Sequence, residues 1–117
     1  MIVKFDVKFL EDAAGFLDLL DEKPRDKIIF NINKARISND KDLFKKLKGE
    51  IWEFRTLYNK MSYRLFAFWD KTDSIETLVI STHGIIKKSK KAPLSEIEKA
   101  EHIRRLYFKQ KDTEHEK

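Results

Sequence analysis

Three strand-like segments follow one another closely in the second half of the chain, and they constrain the fold more than any other feature. They span Ile51 to Leu57, Met61 to Trp69 and Ile75 to Thr82. Only a few residues separate them, too few for a crossover connection, so the pattern predicts an antiparallel meander. The middle segment is apolar on both faces, and we therefore expect it to be the central strand, covered on each side.

The first third of the chain predicts one strand and two helices. Apolar and charged residues alternate from Val3 to Phe9, which is typical of a half-buried strand. Apolar residues then recur at helical spacing from Leu10 for about three turns, and again from Pro24 to about Ile37. We expect these helices to form a hairpin that packs its apolar stripes on the sheet.

The remaining segments complete a single α+β domain. Leu43, Phe44 and Leu47 predict one short helical turn that Gly49 ends. Ser95 to Glu98 has the pattern of a capping box, so the last helix is expected to begin there and to end near Phe108. The predicted order of elements is β-α-α-β-β-β-α.

The length of the chain suits one domain. Its 117 residues match a common domain size, and we assign residues 1–109 to that domain and 110–117 to a polar C-terminal tail. The chain has no cysteine, which excludes disulfides and thiolate metal sites. No apolar run approaches the ~20 residues of a membrane span, so we expect no membrane partner and a cytoplasmic location.

Positive charge collects on and after the predicted meander. The net charge is +5, which favours an anionic partner, either nucleic acid or an acidic protein. The cationic side chains of interest are Arg55, Arg64, His83, Lys87, Lys88, Lys90 and Lys91. Arginine suits bidentate binding of phosphate, and histidine suits proton transfer near neutral pH. The ordinary alternatives are a solvated lysine loop, a packed histidine, and an ion pair of Arg64 with Glu50, Glu53 or Asp70.

Four segments in this order resemble the RelE/HigB superfamily of type II toxins, most closely its phage-derived HigB-like branch. They are KLKGEIWEFR from Lys46 to Arg55, YRLFAFW from Tyr63 to Trp69, LVISTHGIIKKSKKAP from Leu78 to Pro93, and SEIEKAEHIRR from Ser95 to Arg105. The resemblance implies a mainly antiparallel, twisted sheet with the N-terminal αα-hairpin on one face. It also implies a basic surface on the other face and a C-terminal helix.

The resemblance implies a function as well: a toxin that cleaves mRNA on the ribosome without a metal or other cofactor, held inactive by a helix-turn-helix antitoxin. The catalytic candidates are then Arg64, His83, Lys87, Lys88 and Arg55, and the candidates for RNA binding are Lys46, Lys48, Lys90 and Lys91. In such chemistry the ribose 2′-hydroxyl attacks the adjacent phosphate, and fixed cations stabilise the charge that develops.

The chain departs from the family pattern in two places. Many members have a tyrosine after the basic loop, whereas this chain has Ala92, Pro93 and Leu94 there. Some members have lysines near the first strand of the meander, whereas this chain has Glu50 and Glu53. Two alternatives therefore stand beside the nuclease: a catalytically weak module that binds RNA or the ribosome, and a basic protein-interaction domain of a repressor complex.

Overall fold

The computed structural model describes residues 4–38, 40–72, 77–87 and 93–115. These residues form an α+β fold with three helices and one mixed sheet of five strands. The elements are β1 (Asp6–Phe9), α1 (Glu11–Asp18), α2 (Glu22–Ile37), β2 (Phe44–Lys46), β3 (Trp52–Tyr58), β4 (Met61–Asp70), β5 (Leu78–Lys87) and α3 (Leu94–His115). Within this part of the chain, no helix is both long and apolar enough to cross a bilayer.

The predicted meander forms the middle of the sheet. The strand order is β1-β5-β4-β3-β2, and every neighbouring pair is antiparallel except β1 with β5. β4 is therefore central, as predicted from its apolar residues on both faces. Asn59 and Lys60 alone connect β3 to β4, and both have positive φ angles, 50° and 67°. Such a two-residue turn matches the twist of the strands it connects.

The helical hairpin covers one face of the sheet. α1 packs on β5 and β1, and α2 packs on β3. The core between helices and sheet contains Ala13, Leu17, Ile28, Ile32, Ala35, Phe54, Leu65 and Val79. Pro24 lies in the first turn of α2, where its missing N–H leaves no helical hydrogen bond unmade.

The opposite face is covered by α3, but only in part. α3 packs with Ile97, Ala100, Tyr107 and Phe108 over Phe66, Phe68 and Ile80 of the sheet and over Ile51, which precedes β3. The C-terminal half of α3 is fastened to the end of β4, because Tyr107 and Lys111 both donate hydrogen bonds to Asp70. Burial raises the pKa of Asp70, but the bonds from Lys111, Thr72 and Tyr107 outweigh it and hold the pKa well below its usual range.

Two parts of the sheet differ from the sequence prediction. The predicted helical turn at Leu43 and Phe44 is wrong: Phe44–Lys46 is an edge strand, in which Phe44 stacks on Trp52 and Phe54 with ring centres 4.9 and 4.4 Å apart. β5 also begins and ends later than expected. It continues through Gly84 to Lys87, so His83 lies inside the strand and not at its end.

The helices differ from the prediction at their ends. α1 is eight residues long, shorter than expected. α3 begins at Leu94, and the N–H of Ile97 donates to the carbonyl of Pro93, so Ser95 lies within the first turn and not at the N-cap. α3 also continues past Phe108 to His115, into the segment expected to be a polar tail.

Candidate nucleic-acid interface

One end of the sheet brings together three of the predicted cations. Arg55 of β3 lies directly opposite Arg64 of β4, and Ser62 of β4 lies opposite Lys87 of β5. Directly opposite residues point to the same face, and so do residues two apart on one strand. Arg55, Arg64 and Lys87 therefore share the face that α3 covers only in part.

A single buried carboxylate holds both arginines. Glu53 Oε1 lies 2.9 Å from Arg64 Nη1 and 3.4 Å from Arg55 Nε. The Arg64 and Glu53 side chains are 1% and 0% exposed, whereas Arg55 is 26% exposed. Arg64 Nε also donates to Ser62 Oγ at 3.3 Å. The ion pair with Glu53 that the sequence left as an alternative for Arg64 is thus present, and Arg55 is the arginine within direct reach of a ligand.

A groove of about 750 Å³ opens beside these arginines, along the part of β3 that extends past β2. We call it the arginine groove. Its cationic lining residues are Arg55, Arg64, Lys27, Lys34 and Lys60. Asp42 is the one acidic residue among the lining residues that the structure describes. This imbalance of charge suits a polyanion that lies along the sheet edge.

Asn31 explains how α2 contributes to the groove. Its side chain is buried, and Nδ2 donates to Thr56 Oγ1 of β3 at 3.2 Å. Lys27 and Lys34 lie one turn before and one turn after Asn31, on the same stripe of α2. The Asn31–Thr56 bond therefore sets both lysines beside the edge of β3.

His83 is buried between β5 and α3. Its side chain is 4% exposed and stacks on Phe66, with ring centres 4.9 Å apart. Nε2 lies 2.7 Å from Glu96 Oε2, and Nδ1 lies 3.0 Å from Thr82 Oγ1. Burial lowers the pKa of His83, while the Glu96 hydrogen bond opposes it in part.

The lowered pKa indicates which way the hydrogen bonds run. A neutral ring carries one proton, and the carboxylate of Glu96 can only accept, so that proton lies on Nε2. The hydroxyl of Thr82 has one proton and two acceptors within reach, Nδ1 of His83 at 3.0 Å and the Phe66 carbonyl at 3.2 Å. Both ring nitrogens of His83 are therefore occupied by groups of the protein itself.

Two other predicted cations, Lys46 and Lys48, do not join this cluster. Lys46 pairs with Trp52, so its side chain belongs to the opposite face, and Lys48 lies beside Glu98 of α3 in a separate cavity of about 290 Å³. Lys88, Lys90 and Lys91 lie outside the described residues. The catalytic role of Lys88 and the RNA-binding roles of the other four lysines remain predictions.

Sequence reasoning missed four contributors to the groove: Lys27, Lys34, Lys60 and Ser62. The spacing of seven between Lys27 and Lys34 signals a shared helix face. Nothing in the sequence indicates that this face meets β3, since the contact depends on a buried bond between distant residues.

Among the described residues, no group of three or more His, Asp or Glu side chains is placed to hold a metal ion.

Most of the chain matches a known family. Residues 15–108 match the family described as Phage derived protein Gp49-like (DUF891). The matched range includes all three helices in whole or in part, and β2 to β5, with every groove residue named above. A search of curated proteins finds no match.

Proposed function

Because the chain belongs to the phage-derived Gp49-like family, a RelE/HigB-like toxin family associated with toxin–antitoxin systems, we propose that it is the toxin of a type II pair. In this proposal it is a metal-independent endoribonuclease that acts on ribosome-bound mRNA in the cytoplasm. A helix-turn-helix antitoxin holds it inactive. The HigB-like branch is the part of the superfamily to which we assign it.

The observation that carries the proposal is the arginine pair at the mouth of a cationic groove. Arg55 and Arg64 lie opposite each other on rigid strands, and Glu53 fixes both guanidinium groups. Lysines from α2 and from the β3–β4 turn extend the positive charge along the sheet edge. A strand of RNA carries the opposite charge along its length. Lysines that contact its phosphates bind it without reading the base sequence.

The arrangement supports transfer within the RNA backbone. The 2′-hydroxyl of one ribose attacks the adjacent phosphorus, and the bond to the 5′-oxygen of the next nucleotide breaks. That oxygen takes up a proton from water and leaves as a hydroxyl, while a 2′,3′-cyclic phosphate remains. Arg55 contacts the phosphate directly and stabilises the negative charge of the transition state. Arg64 positions Arg55 through Glu53 and adds its own positive charge, and Lys87 contributes from β5.

Proton transfer is assigned to His83 acting through Glu96. His83 lies on the same face as Arg64, diagonally across β4 and β5, at roughly 7–8 Å in ideal geometry. The Glu96 side chain is 29% exposed, so its carboxylate is the solvent-facing end of the pair. In this role Glu96 accepts the proton of the 2′-hydroxyl, and the Nε2–H of His83 holds the carboxylate in place.

A second candidate function is RNA or ribosome binding without cleavage. The observation that favours it is the burial of Arg64 and His83, both of which are paired with carboxylates of the protein itself. Arg55 and the groove lysines would then bind the RNA backbone, and no residue would transfer a proton.

One experiment separates the two functions. The protein is induced in growing cells, growth is followed, and mRNA 5′ ends are mapped with and without stalled ribosomes. The nuclease predicts growth arrest together with new 5′ ends that depend on ribosomes. Soluble protein that produces no new 5′ ends would contradict the nuclease, and co-sedimentation of that protein with ribosomes would support the binding module.

A further inference from the structure

A second concave site lies on the face of the sheet opposite the one that carries Arg55 and Arg64. It is a cavity of about 480 Å³, lined by Phe5, Phe44, Trp52 and Trp69. We call it the aromatic pocket. Its lining includes Lys4, Lys41 and Lys71, which are exposed. Nothing in the proposed RNA chemistry uses these residues.

Among the residues that the structure describes, the aromatic pocket is open because the helical hairpin does not reach it. α1 packs on β5 and β1, and α2 packs on β3 and ends at Ile37. The corner formed by β2 and the neighbouring ends of β3 and β4 therefore has no helix over it in the described structure. Trp52 and Trp69 remain only partly buried as a result. Partly exposed large aromatic side chains around a cavity are typical of binding surfaces.

The rings of the pocket hold one another in place. Phe44 stacks on Trp52, and Trp69 meets Phe5, Phe44 and Trp52 edge-on, with ring centres 5.2, 5.8 and 5.9 Å apart. These contacts hold the rings in position before a ligand binds, so the side chains lose little conformational entropy on binding. They also engage the ring faces, and Lys71 Nζ lies 5.6 Å from the centre of the Trp69 ring. A compact apolar side chain fits this site better than a nucleobase, which needs an open ring face on which to stack.

The rim of the pocket selects for negative charge. Among the lining residues that the structure describes, three are lysines and one, Asp40, is acidic. Asp40 is engaged locally, because its Oδ1 accepts a hydrogen bond from the N–H of Asp42 at 2.8 Å. A partner therefore meets an apolar centre with a basic rim, which matches an acidic polypeptide segment that carries a bulky apolar side chain.

The pocket and the arginine groove share a border. Asp40, Lys41 and Phe44 line the pocket, and Asp42 and Leu43 line the groove. A polypeptide anchored in the pocket therefore needs only to cross the edge of β2 to reach the groove. Its acidic residues would there pair with the arginines and lysines to which RNA would otherwise bind.

We infer that the aromatic pocket is the docking site for an acidic segment of the antitoxin, whose bulky apolar side chain enters the pocket and packs against Trp52 and Trp69. This inference rests on the proposed function for the identity of the partner. The carboxylates of the segment pair with Lys41 and Lys71, and the chain continues over β2 into the arginine groove. Docking in the pocket thus places the inhibitor without requiring α3 to move.

The test uses tryptophan fluorescence, because both tryptophans of the chain line the aromatic pocket. The probe is the small protein encoded beside this gene, prepared without tryptophan and titrated into the purified full chain. We expect a shift in tryptophan emission on binding. Lys41→Glu with Lys71→Glu should weaken the affinity about tenfold or more, since attraction at two positions becomes repulsion. Lys23→Glu with Lys109→Glu, which makes the same change of charge at exposed positions on α2 and α3, should leave the affinity within about twofold.

Three results would overturn the inference. The first is that no complex forms with the wild-type chain, the second is a complex without a shift in tryptophan emission, and the third is equal affinities for the two double variants. An emission shift caused instead by a short oligouridylate would assign the pocket to RNA. Because the readout is binding by purified protein, failure of the nuclease proposal is seen separately: a chain that docks its partner but cuts no mRNA retains the docking site and loses the proposed activity.

Discussion

Arg64 and Glu53 form an ion pair in which neither partner reaches solvent. Arg64 Nη1 lies 2.9 and 3.2 Å from the two carboxylate oxygens of Glu53, and the side chains are 1% and 0% exposed. Burying two charges is costly, and the attraction between them repays this cost only while both are present. The site is therefore sensitive to the loss of either partner alone.

Glu53→Ala should lower the free energy of unfolding by about 3–5 kcal/mol, because it leaves Arg64 buried without its carboxylate. The double variant Glu53→Leu with Arg64→Met should be destabilised less than Glu53→Ala, since no unpaired charge remains. Urea denaturation of the two variants and the wild type measures this. A loss below about 1 kcal/mol in Glu53→Ala would show that Arg64 relaxes into solvent.

Much of the sheet follows from local sequence patterns. The two-residue turn at Asn59 and Lys60 and the apolar residues on both faces of β4 lead to the observed central hairpin. β2 was missed because Leu43, Phe44 and Leu47 are spaced as they would be in a helix. Phe44 is held in a strand by stacking on rings that come from β3, and a cross-strand contact of this kind overrides local spacing.

The candidate site was less predictable than the fold. Residue type and resemblance single out Arg55, Arg64 and Lys87 as candidates. Their grouping depends on which residues of β3, β4 and β5 lie opposite each other, and this register cannot be read from the sequence. A shift of one residue reverses the face of a side chain, and for this reason Lys45, which pairs with Glu53, shares the arginine face whereas Lys46 does not. The groove lysines of α2 depend on the distant Asn31–Thr56 bond.

Gly84→Ala should destabilise the fold, because a methyl group at this position of β5 would overlap the ring of Phe16 on α1. The Phe16 ring is packed against the core and can move little, so we expect a loss of about 1–3 kcal/mol. Gly15→Ala is the matched control. It lies inside α1 with no atom within 4 Å of the added methyl, and it should raise stability by about 0.5–1 kcal/mol.

Thermal unfolding of both glycine variants checks this prediction. Phe16→Leu combined with Gly84→Ala should recover part of the lost stability, since a smaller side chain leaves room for the methyl group. Equal melting temperatures for Gly84→Ala and the wild type would mean that α1 shifts away from β5 at little cost.

The pKa of His83 predicts a dependence of stability on pH. It is lowered in the folded state from the ordinary value of 6.5, chiefly by burial, so the unfolded chain binds the proton more tightly. The stabilisation is fully present above about pH 6.5 and is lost as the pH falls towards the lowered folded value. Urea midpoints between pH 7.5 and 5 should therefore decline, and His83→Gln should reduce this decline.

His102→Gln is the control for the pH prediction, because His102 is exposed on α3. This variant should retain the decline of the wild type. If His83→Gln and the wild type lose the same stability between pH 7.5 and 5, the His83–Glu96 pair does not govern the pH dependence of the fold.

Arg55→Ala should abolish growth arrest while leaving the fold nearly intact. Its side chain is 26% exposed and its contact with Glu53 is 3.4 Å long, so we expect a stability change below about 1 kcal/mol. Removing a group that stabilises the developing phosphate charge should slow cleavage by about 100-fold or more.

Arg105→Ala is the control, since Arg105 is an exposed arginine of α3 with a surface ion pair to Glu101. It should keep full activity, measured by growth and by mapped mRNA 5′ ends. Cleavage by Arg55→Ala at the wild-type rate would remove Arg55 from the site, and loss of activity in both variants would point to a general effect of surface charge.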